Sequence, residues 1–186
     1  EMSASLVGSE MCIRDSSKNA DEVLFPGSTV KIMTCLLALE NTQLTDEVTM
    51  TATGVSGVTD GGASISSQVD EVFTVEQCLY AIMVASANDI ALQIAEHVGG
   101  SVDGFVQQMN TRAQELGCTN TVFTNPTGLP DDNQHTTAHD MALIMQAAIQ
   151  NESFRTIAAA TSYTIPATNK AAARNPVSYT HLRAHE

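Results

Sequence analysis

The stretch LFPGSTVKIMTCLLALE, residues 24–40, decides the interpretation of this chain. A proline and a glycine lead into Ser28, and Lys31 follows one turn later inside a pattern that is apolar nearly all round. Such a pattern predicts a buried helix from Ser28 to about Glu40. Ser28 and Lys31 therefore share one face of its first turn, at the edge of a hydrophobic core.

Ser28 and Lys31 have the residue types and the spacing of a nucleophile and its base. A serine at a first helical turn lies among unpaired backbone N–H groups and the positive end of the helix dipole, which favours an alkoxide-like oxygen. Flanking apolar side chains desolvate the lysine amine and lower its pKa, so that the neutral amine can accept the serine proton. The SxxK pattern also arises by chance, and a capping serine beside a surface lysine is the alternative.

A second motif with suitable chemistry is SAN at residues 86–88. It interrupts the apolar run 74–100, which begins with a capping box at Thr74 and Gln77 and ends at a Gly-Gly pair. Serine and asparagine favour turns over helix interiors, so the sequence predicts two helices joined by a short turn. In SxxK-type acyl-transfer enzymes such a turn supplies a relay hydroxyl and a substrate-binding amide; a plain capping turn is the alternative.

Composition excludes several classes of function. The 186 residues carry a formal charge of −13 and have a pI near 4.5, which disfavours binding to nucleic acid or to anionic lipid. The four cysteines form neither a CxxC pair nor a Cys/His cluster with zinc spacing. Cys35 and Cys78 fall in apolar helical runs, which predicts buried thiols.

The rest of the chain is predicted to be mainly helical. A polar loop is expected over 118–140 because turn-forming residues dominate it. The remaining predicted helices span 102–116, 137–150 and 153–159, and the predicted strands span 47–51 and 161–167.

Both ends of the chain differ from the rest. EMSASLVGSEMCIRDS and NPVSYTHLRAHE show no hydrophobic period or capping pattern, and they resemble translated adapter sequence. We therefore interpret 1–16 and 175–186 as non-native tails and 17–174 as the folded domain.

Four segments occur in the order of one known family: FPGSTVKIMT, VASANDIALQIAEHVGG, FVQQMNTRAQELGCTNTVFTNPTGL and HTTAHDMALI. Together they resemble the bacterial serine-type D-alanyl-D-alanine carboxypeptidases, which are low-molecular-mass penicillin-binding proteins. The resemblance covers about residues 17–170. It implies an α+β fold of the penicillin-binding-protein and β-lactamase type, in which a helical cluster packs on a five-stranded antiparallel sheet. This chain is expected to keep the helices and to lack most of the sheet.

The resemblance also implies a mechanism. Ser28 would attack the carbonyl between the two terminal D-alanines of a peptidoglycan stem peptide, and β-lactams would acylate the same serine. Lys31 would be the base, Ser86 the proton relay to the leaving amine, and Asn88 an anchor for substrate and lysine. No metal or organic cofactor is implied. The expected location is the bacterial cell envelope, with no signal peptide or membrane anchor in this chain.

One motif of the family has no match here. A K-T-G or K-S-G strand, whose lysine binds the terminal carboxylate of the substrate, is missing, because the late Lys170 precedes three alanines. We therefore interpret the chain as an incomplete carboxypeptidase that is inactive or poorly folded in isolation. The apolar face of the first helix is expected to lie uncovered where the sheet would pack.

Two other functions stay open. A class A β-lactamase shares the nucleophile and base but usually has S-D-N and a glutamate-containing loop, whereas the loop here carries Asp131 and Asp132. A non-catalytic wall-binding protein on the same scaffold would use Ser28 as a cap and leave Lys31 inert.

His135 and His139 have a spacing that suits zinc, but no third ligand is near them in sequence. We interpret them as loop and helix-surface residues, and Asp140 as the capping partner of Thr137.

Overall fold

The computed structural model describes residues 19–58 and 62–175. The predicted tail 1–16, the predicted tail 175–186 apart from Asn175, Cys12, and residues 59–61 of the Gly-rich turn lie outside these ranges. Within them the chain forms seven α-helices and one two-stranded sheet. The elements are α1 (Val30–Asn41), β1 (Glu47–Thr49), α2 (Ala52–Ser56), β2 (Val72–Thr74), α3 (Val75–Ala85), α4 (Asn88–Gly99), α5 (Val102–Glu115), α6 (Ala138–Ala148) and α7 (Glu152–Ala158).

Helix α1 lies at the centre of the helical cluster. It packs against α3, α4, α5, α6 and α7, and Val30, Met33 and Leu36 are fully buried. A helix that is apolar nearly all round is stable when neighbouring elements cover it on several sides. The expectation that its apolar face lies uncovered is therefore wrong, because the other helices bury that face and leave only Ile32 and Leu39 half-buried.

Helices α3 and α4 are the two helices predicted within 74–100. Thr74 and Gln77 form the predicted capping box, with side-chain-to-backbone hydrogen bonds of 2.9 and 3.2 Å. Ser86 takes the left-handed conformation, with φ +56°, which ends α3 and lets α4 begin at Asn88. The predicted SAN turn between two buried helices is thus confirmed.

The sheet is small. β1 pairs antiparallel with β2, and the buried residues Val48 and Phe73 face each other in the register. The strand predicted over 47–51 is confirmed for three residues, whereas β2 and α2 were not predicted. The strand predicted over 161–167 is wrong: that segment is irregular, with one bridge between Ile165 and Arg174.

The loop predicted over 118–140 is irregular until α6 begins, and side chains replace backbone pairing inside it. The buried carboxylate of Asp140 accepts hydrogen bonds from the Asn120 N–H at 2.8 Å and the Thr121 hydroxyl at 2.7 Å. The N–H of Asp140 donates to the hydroxyl of Thr137 at 3.1 Å, which confirms the predicted cap.

The cysteines of the described segments are free and buried, as predicted for Cys35 and Cys78; Cys118 is the third. Burial raises the pKa of the Cys35 thiol to about 12, so this thiol is neutral at physiological pH.

Among the described helices, none is long and apolar enough to cross a bilayer.

Candidate active site

Ser28 lies in a single 3-10 turn, Gly27–Thr29, which leads directly into α1. The sequence predicted Ser28 as the first helical residue, and the structure places it two residues before the α-helix begins. Gly27 has φ +53°, a conformation that glycine adopts without a steric penalty. The turn leaves Ser28 exposed, so its hydroxyl is accessible to a substrate.

Lys31 lies in the first turn of α1 and is only 3% exposed. Its Nζ donates a hydrogen bond to the carbonyl oxygen of Thr127 at 2.5 Å. Burial lowers the pKa of the amine from its ordinary value of 10.5 to about 8. The predicted desolvation of the lysine is confirmed. With this pKa a fraction of the amine is neutral near physiological pH, which is the form that a general base requires.

The two motifs meet at their hydroxyl groups. Ser86 Oγ donates to Ser28 Oγ at 3.2 Å, although the residues are 58 positions apart in the chain. The left-handed conformation of Ser86 projects this hydroxyl out of the turn between α3 and α4. A hydroxyl at this distance can pass a proton between the nucleophile and a leaving group.

Asn88 begins α4 beside this contact and is 4% exposed. Its N–H donates to the Ala63 carbonyl at 2.8 Å, but its side-chain Oδ1 accepts no hydrogen bond from the described residues. A buried amide oxygen without a donor costs free energy, and this oxygen has almost no exposed surface in the present arrangement. Thr127, rather than Asn88, accepts the hydrogen bond of Lys31 in this structure.

Asp89 is a site residue that sequence reasoning missed. It is 1% exposed, and its carboxylate accepts hydrogen bonds from the hydroxyls of Ser64 and Ser67 at 2.8 and 2.7 Å and from the Ser67 N–H at 3.1 Å. These bonds hold the segment 62–67 beside the SAN turn. The signal was an aspartate directly before the apolar residues Ile90 and Ala91, because a buried carboxylate needs several donors.

The histidine pair lies away from these contacts. His135 belongs to the loop, where its backbone forms an isolated antiparallel β-bridge with Val122. His139 lies in the first turn of α6, and its Nδ1 is 3.2 Å from a carboxylate oxygen of Asp21. Across residues 19–58 and 62–175, no three His, Cys, Asp or Glu side chains are grouped as metal ligands.

Solved structures share this fold. A mutant of the Streptomyces K15 DD-transpeptidase has a TM-score of 0.82 and 29% identity, covering 91% of this chain and 70% of that protein. The D-alanyl-D-alanine carboxypeptidase of Mycobacterium tuberculosis has a TM-score of 0.79 and 28% identity, covering 88% of this chain and 61% of that protein. The fold is a partial penicillin-binding-protein fold, mainly helical and with two strands in the described residues, which confirms the predicted fold class.

Sequence comparison defines the family. The profile of the D-alanyl-D-alanine carboxypeptidases, peptidase family S11, matches residues 16–181. The chain belongs to this family of serine-type carboxypeptidases, which confirms the resemblance. The D-alanyl-D-alanine carboxypeptidase DacF of Bacillus subtilis is 38% identical over 142 residues, and DacB2 of Mycobacterium tuberculosis is 35% identical over 149 residues.

These two alignments cover 74% and 77% of this chain but only 36% and 49% of the relatives, so the chain spans half of their length or less. The relatives named above are carboxypeptidases and a transpeptidase, which does not favour the β-lactamase alternative.

Proposed function

We propose that this chain carries the nucleophile, base and relay of a cell-wall carboxypeptidase that removes the terminal D-alanine from peptidoglycan stem peptides. The 3.2 Å contact between the hydroxyls of Ser86 and Ser28, one turn from the buried amine of Lys31, carries this proposal. Peptidoglycan lies outside the bacterial cytoplasm, so the proposed place of action is the cell envelope.

The proposed reaction has two halves. In the first, the neutral amine of Lys31 takes the proton of the Ser28 hydroxyl while Oγ attacks the carbonyl carbon between the two D-alanines. The C–N bond breaks as the proton held by Lys31 passes through the Ser86 hydroxyl to the departing amine, so Lys31 is neutral again and an ester joins the peptide to Ser28. In the second half, water gives up a proton to Lys31 as its oxygen attacks the ester carbonyl. The C–O bond to Ser28 then breaks and the proton on Lys31 returns to Oγ, which releases the shortened peptide and restores the Ser28 hydroxyl.

Two further groups support substrate binding in this scheme. Asn88 is the proposed substrate anchor beside Ser86; its Oδ1 is buried and has no donor among the described residues, so its side chain would have to rotate to accept from a backbone N–H of the stem peptide. The N–H of Ser28 lies at the N-terminal end of the helical segment, where it can donate to the oxyanion of the tetrahedral intermediate. β-Lactams present a strained amide to the same hydroxyl and would form a stable acyl adduct on Ser28.

The expectation of inactivity in isolation rested on two grounds, and one of them is removed. Helix α1 is buried by its neighbours, so its apolar face is covered although the described residues form only a two-stranded sheet. The other ground stands, because no K-T-G or K-S-G motif occurs in the sequence and Lys170 lies exposed in the irregular segment after Ile165. We therefore expect acylation of Ser28 by β-lactams and weak turnover of peptides that end in a free carboxylate.

Labelling with a fluorescent penicillin tests the proposal. We expect saturable labelling of the 186-residue chain that is lost in Ser28→Ala and retained in Thr29→Ala, a neighbouring hydroxyl variant. Mass spectrometry of the digested adduct would locate the acyl group on Ser28. Equal labelling of wild type and Ser28→Ala, with both folded by circular dichroism, would rule out this nucleophile.

A further inference from the structure

A short loop contacts the turn that carries the nucleophile and the side chain of the proposed base. This backing loop, residues 125–128 with sequence Asn-Pro-Thr-Gly, lies against the first turns of α1. The carbonyl of Thr127 accepts from Lys31 Nζ at 2.5 Å, and the carbonyl of Pro126 accepts from the Thr34 hydroxyl at 2.8 Å. Thr127 and Thr34 are 1% and 0% exposed, so both contacts are shielded from water.

Gly128 brings the backing loop into backbone contact with the nucleophile turn. A Cβ atom on Gly128 would lie 1.8 Å from the carbonyl oxygen of Gly27 and 2.8 Å from the backbone nitrogen of Ser28. Neither atom belongs to a flexible side chain, so any side chain at this position forces the two backbones apart. The absence of a side chain at Gly128 thus sets how closely the loop approaches Ser28.

The shape of the backing loop is fixed by one side chain. The Oδ1 of Asn125 accepts from the Thr127 N–H at 3.1 Å, the Thr127 hydroxyl at 2.8 Å and the Gly128 N–H at 2.8 Å. Its Nδ2 donates to the Leu129 carbonyl at 3.1 Å. These hydrogen bonds from Asn125 fix the conformation of the turn, and the turn conformation sets the direction of the Thr127 carbonyl.

We propose that the backing loop is a positioning device for the acylation step, in which Asn125 fixes the turn, the Thr127 carbonyl orients the amine of Lys31, and Gly128 sets the distance to the Ser28 turn. A neutral amine has two N–H donors and one lone pair. Donating one N–H to Thr127 restricts rotation of Nζ and so limits the directions open to the lone pair. This inference rests on the proposed role of Lys31 as base.

The loop also controls the protonation of Lys31, because it covers the amine. The residues of the backing loop carry no titratable side chain. Cys35, one turn further along the same helix, has a thiol that is neutral where Lys31 titrates, so it places no charge beside the amine. A loop displaced from α1 would admit water to the amine, stabilise the ammonium form and raise the pKa of Lys31.

The chain offers a direct readout of this amine, since it contains three lysines: Lys18, Lys31 and Lys170. Protein labelled with 13C at lysine Cε gives one NMR signal for each, and a Lys31→Arg variant assigns the signal of interest. Titration of this signal reports the protonation of Lys31 without requiring any catalytic activity.

The decisive comparison uses two glycines with nearly the same positive φ. Gly128 and Gly117 have φ of +83° and +84°, but a Cβ on Gly117 would meet nothing within 4 Å. We expect Gly128→Ala to raise the titration midpoint of Lys31 by about one pH unit and to slow penicillin acylation at least about tenfold. Gly117→Ala should carry the same conformational penalty and change neither quantity. Equal behaviour of the two variants would overturn the proposal.

A second pair of variants covers the case in which Gly128→Ala does not fold. Asn125→Ala removes the acceptor that holds the turn, whereas Asn133→Ala removes an exposed amide elsewhere in the loop 118–140. We expect Asn125→Ala to reproduce the raised midpoint and slow acylation, and Asn133→Ala to change neither. A lower melting temperature in Asn125→Ala with an unchanged Lys31 titration would show a merely structural role and overturn the proposal.

The two readouts also separate this inference from the function on which it rests. If wild type is never acylated but the Lys31 titration shifts in the loop variants alone, the proposed function fails while the loop's control of the amine stands. If wild type is acylated at Ser28 and the loop variants match it in rate and titration, the inference fails while the function stands.

Discussion

The guanidinium of Arg174 donates a hydrogen bond to the carboxylate of Glu71, which lies 103 residues earlier in the chain. Glu71 is fully buried, and it also accepts from the Thr168 hydroxyl at 2.5 Å and the Gln68 N–H at 3.0 Å. Arg174 donates in addition to the Ile65 carbonyl at 2.9 Å. These contacts attach the last described segment to the region between β1 and β2.

Replacing Arg174 with alanine should destabilise the fold by about 3–5 kcal/mol, since it leaves the carboxylate of Glu71 buried without its cation. Urea unfolding followed by circular dichroism measures this loss. Arg155→Ala is the matched control: Arg155 donates to the Ile149 and Gln150 carbonyls at an exposed position, and its loss should cost about 0.3–1 kcal/mol. Similar losses in the two variants would contradict the buried pair as a main anchor of this segment.

The Glu71 pair also shows what the sequence alone could not predict. Caps and turns depend on a few neighbouring residues, so the capping box at Thr74 and the SAN turn at 86–88 could be predicted from the sequence. The segment 161–167 has strand-forming residues, but whether it pairs depends on a distant partner, and the described chain offers only Arg174 opposite Ile165. The chemistry of Ser28 and Lys31 was likewise local.

The surroundings of the site were harder to predict than the site. The apolar pattern of α1 predicts that the helix is buried, but it does not identify the five other helices that cover it. The carbonyl that accepts from Lys31 belongs to Thr127, 96 residues further along the chain. Every residue has a backbone carbonyl, so the residue types do not indicate which one binds the amine. The buried Asp89 had a local signal, but its partners in 64–67 are more than 20 residues away.

Lys31 should destabilise the fold at neutral pH, because burial lowers its pKa to about 8 while an unfolded lysine keeps a pKa near 10.4. Below pH 8 both states are protonated and the full penalty applies, on the order of 3 kcal/mol. Between these two pKa values the unfolded state binds more protons than the folded state, so stability rises with pH. Lys31→Met removes the penalty and should be the more stable protein at pH 7.

Urea unfolding of wild type and Lys31→Met at pH 7 and pH 9.5 tests this prediction. Methionine leaves the Thr127 carbonyl without its donor, at a cost of about 1 kcal/mol, so a net gain of about 2 kcal/mol is expected at pH 7. The gain should shrink or reverse at pH 9.5. A difference between the two proteins that does not depend on pH would contradict a depressed pKa for Lys31.

Asp89→Ala should loosen the segment 62–67, because the hydroxyls of Ser64 and Ser67 and the Ser67 N–H lose their common acceptor. The expected loss of stability is on the order of 3 kcal/mol, since buried donors are left unpaired. Hydrogen exchange of a peptide covering 62–70 should become faster in the variant. The control is Asp103→Ala, which removes an exposed carboxylate from the first turn of α5. Unchanged exchange in Asp89→Ala would show that the segment is held by other contacts.

Ser86→Ala should slow acylation of Ser28 by a fluorescent penicillin about 10²–10⁴-fold, the range of a lost proton-transfer group, because the hydroxyl 3.2 Å from Ser28 is removed. Ser86 has φ +56°, so alanine also adds strain at this position, and the rate must be separated from that effect.

Ser66→Ala provides the matched control, since Ser66 has φ +58° and is exposed. It should carry a similar conformational cost and acylate at the wild-type rate. Ser86→Gly completes the comparison, because glycine relieves the strain but supplies no hydroxyl. If Ser86→Gly acylates as fast as wild type, strain rather than the missing hydroxyl explains the alanine variant, and Ser86 is not the relay. If both Ser86 variants are slow while Ser66→Ala is not, the hydroxyl itself transfers the proton.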